Sequence, residues 1–579
     1  MSPPQIPHLV ETKVSKQLVV NRKPFLMLGG ELQNSSLSSG EYMDTAWQNL
    51  VDSNFNTILG AVTWEVIEPQ EGHFNFEELD KVILGARQHG LPLVLLWFGS
   101  FKNGKAEELT YLAPGSLGLG MSTYEPAWVK TDSKRFPRAK LRKAGGVIQT
   151  ADVLSVFHSN AMEADATAFG KLLAHVKEVD EEHSTVIMVQ VENEVGLLGD
   201  SRDGSPLADE AFAQPIPEDL VDFLRKDWGN LHPDLKASFP NFESRKLEES
   251  SKGSWETVLG KGPKTDELFM AYHYARYVNH VAAAGKKAYP LPLYTNVWLN
   301  YVGDDADNDF PVVVGGGGNP GDYPSGGSTS NVLDIWQRFA PSLDFVSPDV
   351  YLTDYTITCA KFRHRNQPLF IPEQRRDAYG ARRVWVALGS YVALGTSPFG
   401  VDTVDAATSD FTRTYGLLAS VSDIVLEAHT KPGCSLGFYF DEIPENGVDT
   451  AKPIIQNFGG YEITIDRSFV FGKPGPGEGL IIHQGGGKFL LIGFGFQVKA
   501  RAISDNATFT GILRFEEKTT EGCKPGSLRT VRTLNGDETR GGLQAVMPNS
   551  DPDYGGFPIC VTIPSRTMIA EVEFYHLED

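Results

Sequence analysis

The sequence predicts an α/β protein, a (β/α)8 barrel followed by a C-terminal all-β sandwich. Through about the first 430 residues, short apolar runs alternate with amphipathic helical segments, the pattern of a parallel sheet built from βα units. Eight runs suit buried strands, the number that closes a barrel; they lie at 25–30, 57–64, 92–98, 185–191, 293–298, 345–351, 369–373 and 394–401. From Pro432 short strands separated by Gly, Pro and Asn follow. We therefore expect a catalytic barrel at 1–431 and a β-sandwich accessory domain at 432–579.

Between the strand candidates, apolar residues recur at steps of three and four, as they do on the buried face of a helix. One stripe precedes Gly90, a residue suited to a helix C-terminus, and comprises Phe76, Leu79, Val82, Ile83 and Ala86. These stripes predict helices that cover the outside of the barrel.

The chain is strongly acidic, with 52 Lys+Arg against 74 Asp+Glu and a formal net charge of −22. This charge excludes nucleic acid and anionic membrane surfaces as partners and favours a neutral substrate. No apolar run reaches the roughly 18 to 20 residues of a membrane helix. The N-terminus also lacks the apolar region of a signal peptide, which predicts a cytoplasmic protein unless a leader has been removed. The sequence does not determine the oligomeric state.

Two long segments, 102–150 and 301–330, interrupt the alternation. Both follow strand ends on the side where a barrel keeps its active site, so we expect functional loops there. The glycine-rich run in the second segment lacks the Lys-Ser/Thr ending of a phosphate loop. The sequence contains no Ser nucleophile elbow, His-x-x-x-His zinc site or dinucleotide fingerprint, and we predict neither a cofactor nor a metal.

Two strand candidates deliver glutamates at their C-terminal ends. The fourth ends in VQVENEVG, which contains Glu194, and the seventh ends in IPEQ, which contains Glu373. Because these strands stand on roughly opposite sides of a barrel mouth, the two carboxyl groups can converge on one bond. Glycoside hydrolysis needs such a pair, and a separation of about 5 Å makes the second carboxylate a nucleophile and retains the anomeric configuration. We expect environment to raise the pKa of the acid and leave the nucleophile ionised.

These motifs resemble glycoside hydrolase family 35, β-galactosidase-like enzymes within the clan of retaining TIM-barrel glycosidases. VQVENEVG is similar to the family's acid/base strand, and residues 64–74 fit its W-x-x-x-E-P-x-x-G-x-F pattern. The resemblance implies that Glu194 is the general acid/base, that Glu373 is the nucleophile, and that Asn193 donates a hydrogen bond to the sugar 2-hydroxyl. It implies a retaining exo-β-glycosidase, a β-galactosidase, that removes terminal non-reducing β-linked sugars from an oligosaccharide or other glycoside.

Three segments depart from the family pattern: GAVTW at 60–64, WFGSFKNG at 97–104 and PEQRRD at 372–377. Because they lie at predicted strand ends, they leave open another β-linked sugar as substrate. A non-catalytic carbohydrate-binding barrel is the remaining alternative.

A ring of polar and aromatic side chains at the other strand ends suits a sugar, whose hydroxyls need hydrogen bonds and whose C–H face stacks on aromatic rings. The predicted substrate-binding residues, besides Asn193, are Glu31, Trp64, Glu65, Asn103, Asn296, Trp298 and Tyr351. Tyr351 is expected to hydrogen-bond the nucleophile. Four more strand-end residues receive no specific role: Trp97, Lys102, Asp349 and Asp402.

Overall fold

A computed structural model describes residues 5–102, 124–242, 253–301, 317–444, 447–468, 475–548 and 566–578. Its N-terminal part is a parallel barrel in which strands that follow one another in the chain are neighbours. The strands are β1 (Met27–Glu31), β2 (Thr57–Thr63), β3 (Leu93–Lys102), β4 (Val186–Asn193), β5 (Leu293–Trp298), β6 (Phe345–Asp349), β7 (Ile371–Gln374) and β8 (Gly395–Pro398). A parallel bridge between Val350 and Gln374 joins β6 to β7 and closes the ring. The predicted barrel is confirmed.

Helices connect the strands and cover the barrel. The outer helices are Gly40–Asp44 with Trp47–Asp52, Glu77–Gln88, Ser159–Asp180, Pro263–Ala288, Leu333–Phe339, Tyr355–Phe362, Ala378–Gly389, and Asp410–Ser420 with Ser422–Ala428. Shorter helices lie in the connections, at Trp64–Ile67, Ala127–Lys130, Pro206–Ala213, Glu218–Asp227, Pro233–Ser238 and Trp255–Leu259. Of the apolar stripe predicted before Gly90, Leu79, Val82, Ile83 and Ala86 are buried on Glu77–Gln88. Phe76 directly precedes this helix and is half-buried, and Gly90 has a φ of +67°. Among the helices of the described ranges, none is long and apolar enough to cross a bilayer.

A small antiparallel sheet closes the N-terminal end of the barrel. Its strands are His8–Glu11, Lys16–Val20 and Lys23–Phe25. Leu18 and Val20 pack with apolar side chains that fill the barrel interior, among them Met27 and Phe370. Because this end is filled, a ligand reaches the interior from the C-terminal ends of the strands.

The C-terminal part is the predicted all-β sandwich, with the first strand beginning seven residues beyond the last barrel helix, which ends at Ala428. A six-stranded sheet contains Ser435–Phe440, Gly477–Gly485, Lys488–Phe494, Ile569–Glu578, Ala507–Thr519 and Arg529–Thr533. A four-stranded sheet contains Ile454–Phe458, Tyr461–Arg467, Phe496–Ala502 and Ala545–Met547.

The six-stranded sheet buries both of its faces. Phe489 and Leu491 point toward the four-stranded sheet, whereas Leu490 and Ile492 belong to the same apolar cluster as the barrel helices. Helix Ala378–Gly389 lies against this second face, and the backbones are in contact at Gly437. The sandwich and the barrel therefore share a core, which the sequence analysis did not predict.

We predict that Gly437→Ala destabilises the protein by roughly 1–3 kcal/mol, because its new methyl group overpacks this contact. A Cβ at Gly437 would lie 1.7 Å from the carbonyl oxygen of Trp385. The measurement is the free energy of unfolding in urea. Gly460→Ala is the matched control, since a Cβ there meets nothing within 4 Å. Equal stability of the two variants would contradict the close contact.

Candidate functional site

Carboxylates from three strand ends meet at the C-terminal mouth of the barrel. One oxygen from each of Glu194, Asp349 and Glu373 lies within 4.8 Å of the others. Lys102 Nζ, at the end of β3, lies 3.3 Å from Glu194 Oε2. The two glutamates singled out in the sequence therefore converge, and a third carboxylate and an ammonium group join them.

The end of β4 leaves the regular strand conformation, which aims its side chains. Glu192 has a φ of +62° and Glu194 a φ of +47°, a region costly for residues other than glycine and often found at functional sites. The turn directs Glu192 toward Asp165 on helix Ser159–Asp180. Glu194 and the buried Asn193 face the mouth. The backbone N–H of Glu194 donates to Asn296 Oδ1 at 2.9 Å, which holds this conformation.

An irregularity in β7 places the second glutamate. The pairing register with β8 shifts between Ile371 and Gln374, so regular alternation is lost there. Gln374 is directed toward helix Tyr355–Phe362, where its Oε1 accepts a hydrogen bond from Tyr355 OH at 2.6 Å. Glu373, in contrast, faces the mouth of the barrel. Glu373 Oε2 accepts a hydrogen bond from Tyr351 OH at 2.9 Å, the contact expected from the sequence.

Asn296 on β5 connects the whole cluster. Its Nδ2 lies 2.9 Å from Asp349 Oδ2, 3.2 Å from Asn193 Oδ1 and 3.3 Å from Glu373 Oε1. Its Oδ1 is the acceptor for the Glu194 backbone. A single buried amide thus fixes four neighbours relative to one another.

The electrostatics of the cluster differ from the sequence-based expectation, which put the raised pKa on the acid. Burial first, and the charge of Glu194 second, raise the pKa of Glu373, while Lys102 and the hydrogen bonds from Tyr351 and Asn296 act in the opposite direction.

Two further buried carboxyl groups adjoin this pair. Burial, and then the charge of Glu373, raise the pKa of Glu31 and of Asp349. Lys102 opposes both shifts.

A hydrogen-bond network behind β4, not foreseen from the sequence, orders the end of β3. Glu192 accepts from the backbone N–H of Phe101 at 2.8 Å and bonds Asp165. Asp165 in turn accepts from Trp97 Nε1 at 2.9 Å and from Ser100 Oγ at 2.6 Å. The sequence signal for this network was Asp165, an acidic residue among the buried residues of helix Ser159–Asp180.

The other predicted binding residues divide into two groups. Glu31 is buried at the mouth, and Trp298 is half-buried beside Asp349, its partner in the β5–β6 pairing. Trp64 and Glu65 stay outside the cluster: Trp64 is fully buried and donates to Glu68, and Glu65 pairs with Lys130 at 2.7 Å. They follow β2 on a short helix, which turns them away from the strand axis. Asn103 lies outside the described residues.

Of the strand-end residues that had no role, Lys102 and Asp349 join the cluster. Trp97 and Asp402 do not: Trp97 bonds Asp165, and Asp402 accepts from the backbone N–H of Gln33 at 2.9 Å.

The three clustered carboxylates have the spacing of cation ligands. The ammonium group of Lys102 already lies against Glu194 and supplies positive charge at this position. An acidic cluster of this kind is equally suited to the hydroxyls of a polar ligand.

One match to a protein family indicates the type of protein. Residues 40–233 match the family model of glycoside hydrolase family 42, described as β-galactosidase, and residues 411–546 match a domain of unknown function, DUF5597. The family-42 match includes Glu194 and indicates a glycoside hydrolase, and so a glycoside as substrate. The resemblance to family 35 in particular is not supported. The short acid/base motif does not distinguish families, because its residues are dictated by a shared chemistry.

No curated protein matches the chain in sequence. Similar solved structures include the catalytic domain of a β-amylase from Paenibacillus polymyxa, with 12% identity over 67% of this chain and 96% of that chain and a TM-score of 0.45. The β-galactosidase from Rahnella sp. R3 has 13% identity over 73% of this chain and 58% of that chain, with a TM-score of 0.42. The β-galactosidase from Bacillus circulans sp. alkalophilus has 14% identity, coverages of 69% and 57%, and a TM-score of 0.42. The chain thus spans less than two thirds of either β-galactosidase.

We predict that Glu192→Gln weakens the pH dependence of stability. Burial and Asp165 raise the pKa of Glu192. The stability that this group contributes is therefore full below its unfolded pKa of about 4.3 and is lost as pH rises through the higher folded pKa. Glutamine mimics the protonated carboxyl, donating to Asp165 and accepting from Phe101. The fall in unfolding free energy between about pH 5 and pH 8 should be smaller in the variant than in wild type, by at least about 1 kcal/mol.

Urea unfolding at several pH values measures this difference. Glu77→Gln, on the exposed face of helix Glu77–Gln88, is the control and should keep the wild-type dependence. An unchanged pH dependence in Glu192→Gln would show that the carboxyl does not hold its proton in the fold.

Proposed function

We propose that the protein is a retaining exo-β-glycosidase, with β-galactosides as substrates, that removes terminal sugars by double displacement. The observation that carries this proposal is a distance: one carboxylate oxygen of Glu194 lies within 4.8 Å of one carboxylate oxygen of Glu373. Retaining enzymes hold their two carboxyl groups about 5–5.5 Å apart, whereas inverting enzymes need about 6.5–9.5 Å to admit a water molecule.

In the first step, Glu194 transfers its proton to the glycosidic oxygen and the C–O bond to the leaving group breaks. Glu373 attacks the anomeric carbon and forms a glycosyl ester. In the second step, Glu194 removes a proton from water, the water oxygen bonds the anomeric carbon, and Glu373 leaves as a carboxylate. The reaction therefore requires a proton on Glu194 and a negative charge on Glu373 when the substrate binds.

The surrounding side chains suit this chemistry. Tyr351 and Asn296 donate to Glu373, which stabilises its carboxylate before attack and after departure. Asn193 Nδ2 lies 3.4 Å from Glu194 Oε2, and we assign this amide as the donor to the sugar 2-hydroxyl. A hydrogen bond there strengthens as positive charge develops on the sugar.

The exo mode and the choice of galactose rest on observations separate from the two-carboxylate chemistry. Long segments after β3 and β5 favour a pocket closed at one end, and parts of both, 103–123 and 302–316, lie outside the described residues. Galactose follows from the description of the matched family model. A panel of aryl β-glycosides of galactose, glucose and arabinose tests the sugar, and internal fragments released from a polymer would contradict the exo mode.

We predict that Glu194→Ala and Glu373→Ala each lose turnover of an aryl β-galactoside by ~10²–10⁴-fold or more. Azide can occupy the space of the missing carboxylate. In Glu194→Ala it attacks the glycosyl ester and gives a β-glycosyl azide, whereas in Glu373→Ala it attacks the substrate directly and gives the α-anomer. The measurements are initial rates and NMR of the azide products.

Glu427→Gln is the control for this pair and keeps wild-type rates, because its side chain is 70% exposed and pairs with Lys431 on an outer helix. If Glu194→Ala gave the α-azide and Glu373→Ala gave the β-azide, Glu194 would be the nucleophile and Glu373 the acid/base. If wild type and both variants bind sugar equally and none of them turns over the substrate, the protein is a non-catalytic carbohydrate-binding barrel.

We predict that Tyr351→Phe moves the acidic limb of the pH profile of kcat/KM to higher pH. The nucleophile must be ionised, and loss of the Tyr351 hydrogen bond raises the pKa of Glu373 further. Tyr355→Phe is a matched control: it removes a tyrosine hydrogen bond from Gln374, the next residue, and leaves Glu373 untouched. An acidic limb that moves equally in both variants would reflect altered packing around β7.

A further inference from the structure

Two carboxylate oxygens at the mouth have no hydrogen-bond donor among the described residues. They are Glu31 Oε2 on β1 and Asp349 Oδ1 on β6. Both residues are buried: Glu31 is 2% exposed and Asp349 is 4% exposed. A buried acceptor without a donor is unfavourable for folding. Since the second oxygen of Asp349 already accepts from Asn296 at 2.9 Å, the side chain is held in place while Oδ1 stays unused.

Both residues face the reacting groups. An Asp349 oxygen lies within 4.8 Å of both Glu194 and Glu373, and Glu31 is near enough to interact electrostatically with Glu373 and Lys102. β6 is the neighbour of β7 in the closed barrel, and β8 alone separates β7 from β1. Glu373 is thus flanked on its two sides by Asp349 and Glu31.

Neither residue is explained by the proposed displacement chemistry. The general acid/base and the nucleophile are already assigned to Glu194 and Glu373. A fold selected only for stability would not keep two unpaired carboxylate oxygens at this position. A ligand that brings hydrogen-bond donors to this position would satisfy both.

We propose that Asp349 and Glu31 accept hydrogen bonds from two different hydroxyl groups of the sugar whose anomeric carbon lies between Glu194 and Glu373. This inference rests on the proposed glycosidase function and makes Asp349 a specificity-determining residue. Each of these buried oxygens lacks a hydrogen-bond donor, which a free hydroxyl supplies and a deoxygenated or methylated position does not. The pocket is therefore selective for sugars unmodified at these two positions.

The test is a cycle between protein variants and deoxy substrates. Wild type, Asp349→Ala and Glu31→Ala are assayed on an aryl β-galactoside and on its 2-, 3-, 4- and 6-deoxy analogues. For wild type, removal of the hydroxyl bound by Asp349 should lower kcat/KM by about 100-fold or more, because a buried acceptor loses its partner. Asp349→Ala should lose a similar factor on the parent substrate and show no further loss on that one analogue. Glu31→Ala should single out a different hydroxyl.

Two variants guard against an unspecific effect. Asp344→Asn lies just before β6 at the opposite end of the barrel, where Asp344 pairs with Lys286 at 2.6 Å, and should keep the wild-type pattern. Asp349→Leu keeps a similar side-chain volume and removes both carboxyl oxygens, and it serves in place of the alanine variant if that variant does not fold. If Asp349→Ala or Asp349→Leu discriminates among all the analogues as wild type does, the proposal is wrong, and ordered water fills the position.

Calorimetric titration with galactose and its deoxy forms separates this proposal from the proposed function. If wild type turns over no aryl glycoside but binds galactose with a hydroxyl preference that Asp349→Ala loses, the glycosidase mechanism fails and the binding assignment stands. If wild type hydrolyses the substrates and the preference survives in Asp349→Ala, only the binding assignment fails. Absence of both turnover and binding of galactose or glucose by wild type would overturn it as well.

Discussion

The structure of the site depends on burying several carboxyl groups within a few ångströms of one another. Like charges in a poorly hydrated environment repel strongly, so each carboxyl needs a proton, a cation or a hydrogen-bond donor. Asn296 and Tyr351 donate to Glu373, and Lys102 lies against Glu194. After burial, this repulsion is the largest cause of the raised pKa of Glu373.

Local departures from regular strand geometry convert the barrel into a site. A regular β4 would send every second side chain to the interior, whereas the left-handed backbone at Glu192 and Glu194 separates the two glutamates. Glu192 then orders the end of β3, where Lys102 lies, and Glu194 faces the mouth. The register irregularity in β7 has the same effect for Glu373. The strain at these positions is held by the Asn296 and Asp165 hydrogen bonds.

The C-terminal sandwich packs against the barrel and shares its apolar core. One face of its six-stranded sheet packs on helix Ala378–Gly389, which directly follows β7. Arg383 of that helix also pairs with Asp441, just beyond the first strand of the sandwich. Removal of the sheet would therefore expose the apolar face of the helix that follows the strand carrying Glu373.

Local patterns in the sequence determined the eight strands, the covering helices, the sandwich and the two glutamates, because alternation of apolar runs and polar strand ends are properties of neighbouring residues. The sequence alone did not show which strand-end side chains face one another. Tertiary structure brought Lys102 and Asp349 into the cluster, left Trp64 and Glu65 outside it, and paired Glu192 with Asp165. These outcomes depend on strand register, on positive φ angles and on contacts between residues far apart in the chain, none of which a periodic pattern encodes.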